Sequence, residues 1–170
     1  MGVVYATHGV CIFKIIGQIY AMNAWSSSRH SDQYRPLLAW KGDPSTGVGF
    51  FHSKTEDNPW LRIQLNRPTT ITSVTISNRK DCCGERLQNL EVRAGMKNDL
   101  TNDVMGSFKG PGTTGGVHVV RFTKPILAEF MTFQLVKKSA TLQINGIRLN
   151  QQPAQEDGKL SITMSSPTVS

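Results

Sequence analysis

The stretch from Asn78 to Arg86, NRKDCCGER, concentrates side chains that can do chemistry. It combines two arginines, two carboxylates, two adjacent cysteines and a glycine. Arginine presents several N–H donors in a planar fork, and a nearby carboxylate can hold that fork in place. The segments on either side alternate as β-strands do, so we predict a loop that joins two strands. Because packing alone does not require this mixture of residues, we interpret the loop as a binding loop.

The two adjacent cysteines, Cys82 and Cys83, can exist in more than one state. They either stay reduced or close a disulfide on themselves, which would leave Cys11 unpaired. Ordinary disulfides join Cα atoms about 4.4–6.8 Å apart, whereas neighbouring residues are only about 3.8 Å apart. A self-closed bridge would therefore be an unusual, rigid knuckle with two outward-facing sulfurs. A zinc site is disfavoured, because the pair lacks CxxC spacing and the histidines are scattered.

The composition indicates one globular domain with some sequence left for tails. The chain has 170 residues, is 38% hydrophobic and carries a formal net charge of +7. No apolar run is long enough to predict a transmembrane helix. The lysines and arginines are spread along the chain without a basic block, so the charge does not predict nucleic-acid binding.

The chain is predicted to divide into three segments. Residues 1–18 form a leader or an extra N-terminal segment, residues 19–150 form the domain, and residues 151–170 form a disordered, polar tail. The run from Gly9 to Ile16 is apolar enough to suggest a secretory signal. However, no positive residue lies near the N-terminus and Lys14 interrupts the run, which fits a stray leader or a first β-strand better.

From about residue 23 the sequence shows short strands and polar turns. Apolar and polar residues alternate over residues 60–65, and we expect Asn66-Arg67-Pro68 to end that strand. Further strands are predicted at residues 71–77, 90–93, 117–122, 130–136 and 143–149, with a glycine-rich turn region at 106–116. Strands at this spacing predict an all-β sandwich.

The chain resembles the F-type lectins, or fucolectins, which are fucose-binding jelly rolls related to discoidin domains. The likeness is carried by FHS at 51–53, NPWLRIQL at 58–65, VTISNR and DCCGERL between 74 and 87, and LEVRAG at 90–95. Weaker matches extend it over roughly residues 19–150. The resemblance implies a β-sandwich jelly roll of the galactose-binding-domain-like type.

The resemblance also implies a sugar site. In the family, a histidine of an HS pair and the arginines of NR and CCxxR motifs bind the sugar, and here these are His52, Arg79 and Arg86. It further implies a Cys82–Cys83 disulfide whose sulfurs form the surface on which the sugar ring stacks. Fixed donors beside a small apolar platform suit a neutral sugar, whose hydroxyls both donate and accept. We expect a neutral His52 to donate from one nitrogen while a neighbour holds the other.

Other residues are expected to support or line this site. Asp81 and Glu85 are predicted to hold the two guanidinium groups, which would otherwise repel each other. Val48, Phe50 and Phe51 could line a pocket for the methyl group of a 6-deoxy sugar, or could be buried at a corner of the sandwich. The sugar-binding residues also have ordinary alternatives, as solvated loop charges or a structural histidine, which the family spacing disfavours.

Family members usually hold a structural calcium ion, and here the sequence departs from their pattern. Lys41 lies in the segment that corresponds to their calcium loop. A lysine cannot ligate calcium, which takes about six to eight oxygen ligands, and its charge repels the ion. Asp43, Ser45 and Asn145 are the remaining candidate ligands. The sequence therefore disfavours calcium.

The sequence thus predicts a lectin that recognises terminal L-fucose and catalyses no reaction, since no catalytic arrangement of side chains stands out. A shallow site should bind weakly, so we expect a homo-oligomer or a multi-domain parent that gains avidity. The expected partners are fucosylated glycans or glycoproteins, and the expected location is extracellular. Two alternatives remain: a discoidin-like adhesion module that binds a protein or an anionic lipid surface, and a degenerate lectin that has lost sugar binding.

Overall fold

The computed structural model describes residues 18–151 in full and only the backbone of residues 3–7 and 10–14. The two N-terminal segments are the strands β1 (Val3–Thr7) and β2 (Val10–Lys14), which pair antiparallel. The rest of the predicted leader, except for residue 18, and the predicted tail beyond residue 151 lie outside the described residues. No helix in the described part has the length and apolar character of a membrane span.

The domain is built from antiparallel strands with little helix, which confirms the all-β prediction. After β2 the strands are β3 (Ala21–Ser26), β4 (Phe51–His52), β5 (Trp60–Ser77), β6 (Leu90–Gly95), β7 (Val104–Phe108), β8 (Val117–Leu135), β9 (Gln143–Ile144) and β10 (Gly146–Gln151). Between them lie one helical turn, α1 (Leu38–Lys41), and one 3₁₀ turn (Gly84–Arg86).

Two long strands, β5 and β8, organise the jelly-roll sandwich. The first half of β5 pairs with β3 and with the second half of β8, whereas its second half pairs with β10 and with the first half of β8. Strands β6 and β7 extend the sheet from β8. The alternation over residues 60–65 is as predicted, with Leu61, Ile63 and Leu65 fully buried in the core.

The prediction that Asn66-Arg67-Pro68 ends a strand is wrong, because β5 continues through these residues to Ser77. The β5–β8 pairing shifts register between Gln64 and Thr69, so Pro68 lies where the ladder needs no N–H donor. Strand β8 likewise continues through Pro125, where its pairing with β5 is also irregular. The predicted turn region at 106–116 is partly strand, since β7 extends to Phe108.

One group of segments brings distant parts of the chain together. Strands β4 and β9 form a separate two-stranded sheet in which His52 lies directly opposite Gln143. The loop formed by residues 78–89 connects β5 to β6. Residues 109–116, between β7 and β8, make backbone hydrogen bonds with this loop. These three segments position the side chains that the sequence singles out.

Candidate functional site

The three predicted binding residues, His52, Arg79 and Arg86, meet at the side chain of Gln143. With its amide oriented to suit its neighbours, the Gln143 oxygen accepts from Nη1 of Arg79 at 3.1 Å and from Nη1 of Arg86 at 3.0 Å. The same oxygen lies 2.6 Å from Nε2 of His52. Gln143 is only 3% exposed, so it forms the floor of the arrangement. Sequence reasoning missed it, because only its pairing opposite His52 places it there.

Both ring nitrogens of His52 face oxygen atoms. Nε2 donates to the Gln143 oxygen at 2.6 Å, and Nδ1 lies 2.6 Å from the carbonyl oxygen of Ser53, where its role depends on the tautomer. Burial lowers the pKa of His52, the hydrogen bond to Ser53 opposes this shift, and His30, Arg79 and Arg86 add to it. The lowered pKa favours the neutral ring.

Arg79 is held from two sides. Its Nε and Nη2 donate to the carboxylate oxygens of Asp81 at 2.5 and 2.8 Å, as the sequence analysis expected of that pair. This hydrogen bonding raises the pKa of Arg79 and lowers the pKa of Asp81 to about 2. The guanidinium carbon also lies 4.8 Å from the centre of the Phe50 ring, a cation–π contact. Arg79 is therefore fixed before any ligand binds.

Arg86 is positioned by a different group from the one expected. In the described part of the chain, Glu85 forms no ion pair with Arg86, and the Gln143 oxygen takes that place. The backbone carbonyl of Glu85 instead accepts from Nε2 of Gln88 at 3.2 Å. A neutral acceptor beneath Arg86 leaves the positive charge of Arg86 available to a ligand.

The two adjacent cysteines form a disulfide, with their Cα atoms 3.8 Å apart. Cys83 has a φ of 62°, in the left-handed region, and immediately precedes the 3₁₀ turn that carries Arg86. The bridge therefore lies in the loop between the two arginines. Each sulfur belongs to a residue that is partly exposed.

The binding loop is supported from behind by Asn78, which is buried. Its Nδ2 donates to the carbonyl oxygens of Gly84 at 2.8 Å and Thr113 at 3.0 Å, and its Oδ1 accepts from the backbone N–H of Arg79 at 2.9 Å. Gly84 packs so closely that a Cβ there would lie 2.1 Å from the backbone nitrogen of Thr114. Residues 109–116 thus set the position of the loop.

A group of aromatic rings stands beside His52. The His30 ring centre lies 4.7 Å and the Tyr34 ring centre 5.1 Å from that of His52, while Tyr34 and Phe50 are 5.0 Å apart. Sequence reasoning did not single out His30 or Tyr34, which belong to an irregular segment with no periodic signal. Phe50 has the position expected of a lining residue.

The other two proposed lining residues differ from Phe50. Phe51 is fully buried in the core, so the buried alternative is the correct one for this residue. Val48 is 70% exposed on the neighbouring loop. The apolar side of the site is therefore made by Phe50 and Tyr34, not by Phe51.

Known proteins share part of the sequence of this chain. Residues 23–149 match the F5/8 type C domain. The chain belongs to this family. Fucolectin-1 of Anguilla japonica is 35% identical over 101 residues, which are 58% of this chain and 56% of that protein, so the chain spans little more than half of this relative. The predicted likeness to the F-type lectins is therefore confirmed.

Solved structures share the fold of this F5/8 type C domain. The f-lectin (fucolectin) from Morone saxatilis serum has a TM-score of 0.69 and 26% identity, covering 76% of this chain and 46% of that one. A fucose binding module of Streptococcus pneumoniae has a TM-score of 0.63 at 19% identity, covering 78% of this chain and 93% of that one, which shows a shared fold. These relatives are lectins and binding modules, in agreement with the prediction of a non-catalytic protein.

The candidate calcium ligands of this F5/8 type C domain are engaged with protein groups. The Asp43 carboxylate accepts from the backbone N–H of Ser45 at 2.8 Å, from its hydroxyl at 2.6 Å and from the Thr46 hydroxyl at 3.0 Å, which together lower the pKa of Asp43. Nδ2 of Asn145 donates to the carbonyl oxygen of Gly49 at 3.1 Å. The Oδ1 of Asn145 is buried without a partner.

The side chains at this place do not by themselves form a calcium site. Backbone carbonyl oxygens converge beside Gly42, where a Cβ would lie 1.8 Å from the Gly49 oxygen, 2.6 Å from the Asn145 oxygen and 2.7 Å from the Leu38 oxygen. Among the described residues, no group of three or more His, Cys, Asp or Glu side chains could hold a metal. Among the candidate side chains only the Oδ1 of Asn145 is buried without a partner, which falls short of the roughly six to eight oxygens that calcium takes.

Proposed function

We propose that this chain is a carbohydrate-binding lectin that recognises terminal L-fucose, or a closely related neutral sugar, through His52, Arg79 and Arg86. The observation that carries the proposal is the convergence of these three side chains on the buried oxygen of Gln143. Hydrogen bonds that involve a charged partner contribute about 1.5–3 kcal/mol each, more than neutral ones. The two arginines therefore supply most of the binding energy.

The polarity of the site matches a hydroxylated ring. Each guanidinium group only donates, and Nε2 of His52 donates to the Gln143 oxygen. A sugar hydroxyl can accept from an arginine and still donate its own hydrogen to another acceptor. The site therefore offers donors to the hydroxyl oxygens of a ring.

Two further features support a 6-deoxy sugar. The disulfide of Cys82 and Cys83 offers polarizable sulfurs against which the C–H face of a ring can pack. Phe50 and Tyr34 form an apolar side that suits a methyl group. The preference for fucose also draws support from the names of the relatives, fucolectin-1 and a fucose binding module.

The wider setting belongs to the same proposal. A disulfide is typical of proteins in oxidising compartments, which supports secretion. The f-lectin of Morone saxatilis comes from serum. We propose an extracellular protein whose lectin domain spans residues 19–150, flanked by a leader and a polar tail, and which gains avidity as an oligomer or as part of a multi-domain parent.

Calorimetric titration of the non-reduced protein with L-fucose and D-galactose tests the proposal. We expect saturable fucose binding with a dissociation constant on the order of 10 µM to 1 mM, and weaker binding of D-galactose. Arg86→Ala should abolish it, whereas Arg121→Ala, which removes an exposed arginine of β8, should leave it unchanged. Absence of fucose binding, or equal affinity after Arg86→Ala, would contradict the proposal.

A further inference from the structure

A basic cleft of about 770 Å³ lies apart from the proposed sugar site. Strand β10 begins at Gly146, opposite the end of β5 from which the binding loop continues, and it ends at Gln151. The cleft includes Gln151 and also Arg67 from the middle of β5. It therefore lies toward the other end of these strands. None of its lining residues belongs to the group around Gln143.

The lining of the cleft combines positive charge with aromatic rings. Two arginines, two aromatic residues and two glutamines contribute to it, together with two aliphatic residues: Arg67, Arg148, Tyr20, Trp40, Gln18 and Gln151 are the first six. No carboxylate is among the lining residues. The cleft therefore favours a ligand that carries negative charge.

One wall of the cleft is fixed by Asn66. Its Nδ2 donates to the Gln18 carbonyl at 3.2 Å, and its Oδ1 accepts from the Tyr20 N–H at 3.2 Å. The Asn66 N–H also donates to the Tyr20 carbonyl at 3.0 Å. Another wall belongs to β10, which is paired with β5. Because these contacts exist before any ligand arrives, binding in the cleft would order little of the domain itself.

The arginines and the rings together suit an acidic stretch of polypeptide. Arg148 is exposed, and its Nη1 donates to the neighbouring Ile147 carbonyl at 3.2 Å. A guanidinium group has five N–H donors, so Arg148 can also hold a carboxylate. Tyr20 is 51% exposed beside it. A bound segment could pair its carboxylates with the arginines while its backbone covers this ring.

The chain itself supplies such a stretch. Gln151 lines the cleft and is the last residue that the structure describes, so residues 152–170 continue from its edge. Glu156 and Asp157 follow Gln151 by five and six residues, and they are the only acidic residues of the sequence after Glu129. Five residues of extended chain span at most about 16–18 Å, which is enough to fold back across the cleft.

The N-terminal segment is a weaker candidate for this cleft. It also joins the cleft, since Gln18 lines it. However, residues 1–17 contain no aspartate or glutamate, and Lys14 adds a positive charge. This segment would bring like charge to the two arginines. Charge complementarity therefore favours the C-terminal segment.

We propose that the C-terminal segment, residues 152–170, binds back into this cleft through its acidic pair. The carboxylates of Glu156 and Asp157 form ion pairs with the two arginines of the cleft. Only the residues beyond this pair would then keep the disorder that the sequence predicts. The inference is independent of the proposed sugar binding, because the cleft shares no residue with that site.

Hydrogen exchange of the full chain, read by mass spectrometry of peptides that cover residues 152–160, tests the inference. In wild-type protein we expect these amides to exchange about two- to fivefold more slowly than their intrinsic rates, because a linked segment has an effective concentration in the millimolar range. The double variant Glu156→Gln/Asp157→Asn and the single variant Arg148→Gln should both lose this protection.

Two matched variants control for a general effect of charge. Asp103→Asn and Arg121→Gln each neutralise an exposed side chain outside the cleft and should leave the protection unchanged. Exchange in β5 and β8 checks that every variant is folded.

Three results would overturn the inference. The first is exchange at the intrinsic rates in wild-type protein. The second is protection that persists in either Arg148→Gln or the double variant, because the acidic pair would then not be held by this cleft. The third is protection that disappears on dilution, which would show that the segment binds a second copy of the chain.

Discussion

Gln143 is a buried neutral acceptor that allows two guanidinium groups to lie side by side at the site. Without its oxygen, Nη1 of Arg79 and Nη1 of Arg86 would lose the acceptor that lies between them. We expect Gln143→Leu to weaken fucose binding at least tenfold and to destabilise the fold by about 1–3 kcal/mol, the cost of unpaired buried donors. Calorimetry and urea unfolding measure the two effects.

Gln143→Glu is the matched variant for this prediction, since it keeps an acceptor oxygen at the same place. It should retain more of the stability than Gln143→Leu does, because its carboxylate can still accept from both arginines. If Gln143→Leu binds fucose as tightly as wild-type protein, then the amide is no more than a packing residue.

The protonation of His52 gives the site a pH dependence with a definite sign. Burial lowers its pKa below the ordinary value of 6.5, so the folded protein favours the neutral ring. The stability and binding that depend on the neutral ring are present above that value and are lost as the pH falls through the lowered pKa. The affinity for fucose should therefore decrease toward acid, by at most about tenfold per pH unit below the pKa.

Calorimetry from neutral pH to about pH 5 checks this dependence. Among the described residues, the titratable or charged groups around the His52 ring are His30, Tyr34, Arg79 and Arg86. The variant His30→Gln should keep the acid loss if His52 causes it. A flat profile in wild-type protein would show that fucose binding does not depend on the protonation of His52. A loss that disappears in His30→Gln would show that His52 is not its cause.

How far the sequence predicts this site depends on the kind of contact. Arg79, Arg86 and the disulfide are close in the sequence, and their spacing is enough to group them. His52 is distant and could be linked to them only through the family resemblance. Gln143 could not be found, because its role follows from pairing opposite His52 in a two-stranded sheet of only two residues per strand.

At the scale of segments, Asn78 joins the binding loop to residues 109–116. Its amide bonds two backbone carbonyls and one backbone N–H in a buried position. Asn78→Ala would leave these groups unpaired, so we expect a loss of about 1–3 kcal/mol in stability and weaker fucose binding as the arginines move. Asn23→Ala, which removes a single exposed hydrogen bond to Gln64, should cost under about 1 kcal/mol.

Urea unfolding with calorimetry distinguishes the two asparagine variants. Equal stabilities for Asn78→Ala and Asn23→Ala would mean that the loop does not depend on the segment behind it. A large loss of stability with unchanged fucose affinity would instead show that Asn78 supports the fold without positioning the arginines.

The loop at residues 43–49 is tied to the binding loop by a lysine. The Lys80 ammonium donates to the Ser45 carbonyl, and its stem lies beside Gly47 and Gly115. Because a lysine side chain, and not a metal ion, links the two loops, we expect excess EDTA to leave the melting temperature and the fucose affinity unchanged. Lys80→Met should weaken binding a few-fold, and Lys41→Met, which alters an exposed lysine near the same loop, should not.

Differential scanning fluorimetry with added calcium and with EDTA measures whether the ion stabilises the fold. A ligand that binds only the folded state stabilises it by an amount that grows with the logarithm of its concentration relative to its dissociation constant. A rise in melting temperature with calcium that EDTA reverses would show that the ion binds and would contradict the prediction.

The sequence predicts the strands of the domain better than their ends. Alternation identifies the core side chains of β5 correctly, because burial on one face of a sheet is a local pattern. The predicted strand end at Pro68 is wrong, because proline is excluded only from paired positions and the pairing with β8 is irregular there. Irregular pairing of this kind depends on the partner strand β8 and cannot be deduced from β5 alone.

At the scale of the whole molecule, the affinity of one sugar site for free fucose is expected to be too weak for firm attachment to a glycan surface. One group of three donors defines one proposed sugar site in the described domain. Linked sites raise avidity by about 10² to 10⁴ without new contacts. An oligomer of this chain should therefore bind a surface dense in fucose far more tightly than it binds free fucose.

Surface binding at decreasing fucose density, together with sedimentation of the purified chain, tests this expectation. Affinity should decrease as the fucose density decreases, and the sedimenting species should be larger than a monomer.

Because fucose is neutral, added salt should have little effect on this binding. The net charge of +7 favours the alternative of an anionic surface, and that attraction would be screened by salt. A monomer with density-independent affinity would rule out avidity for this chain alone, and salt-sensitive binding to anionic vesicles without fucose would favour the adhesion module.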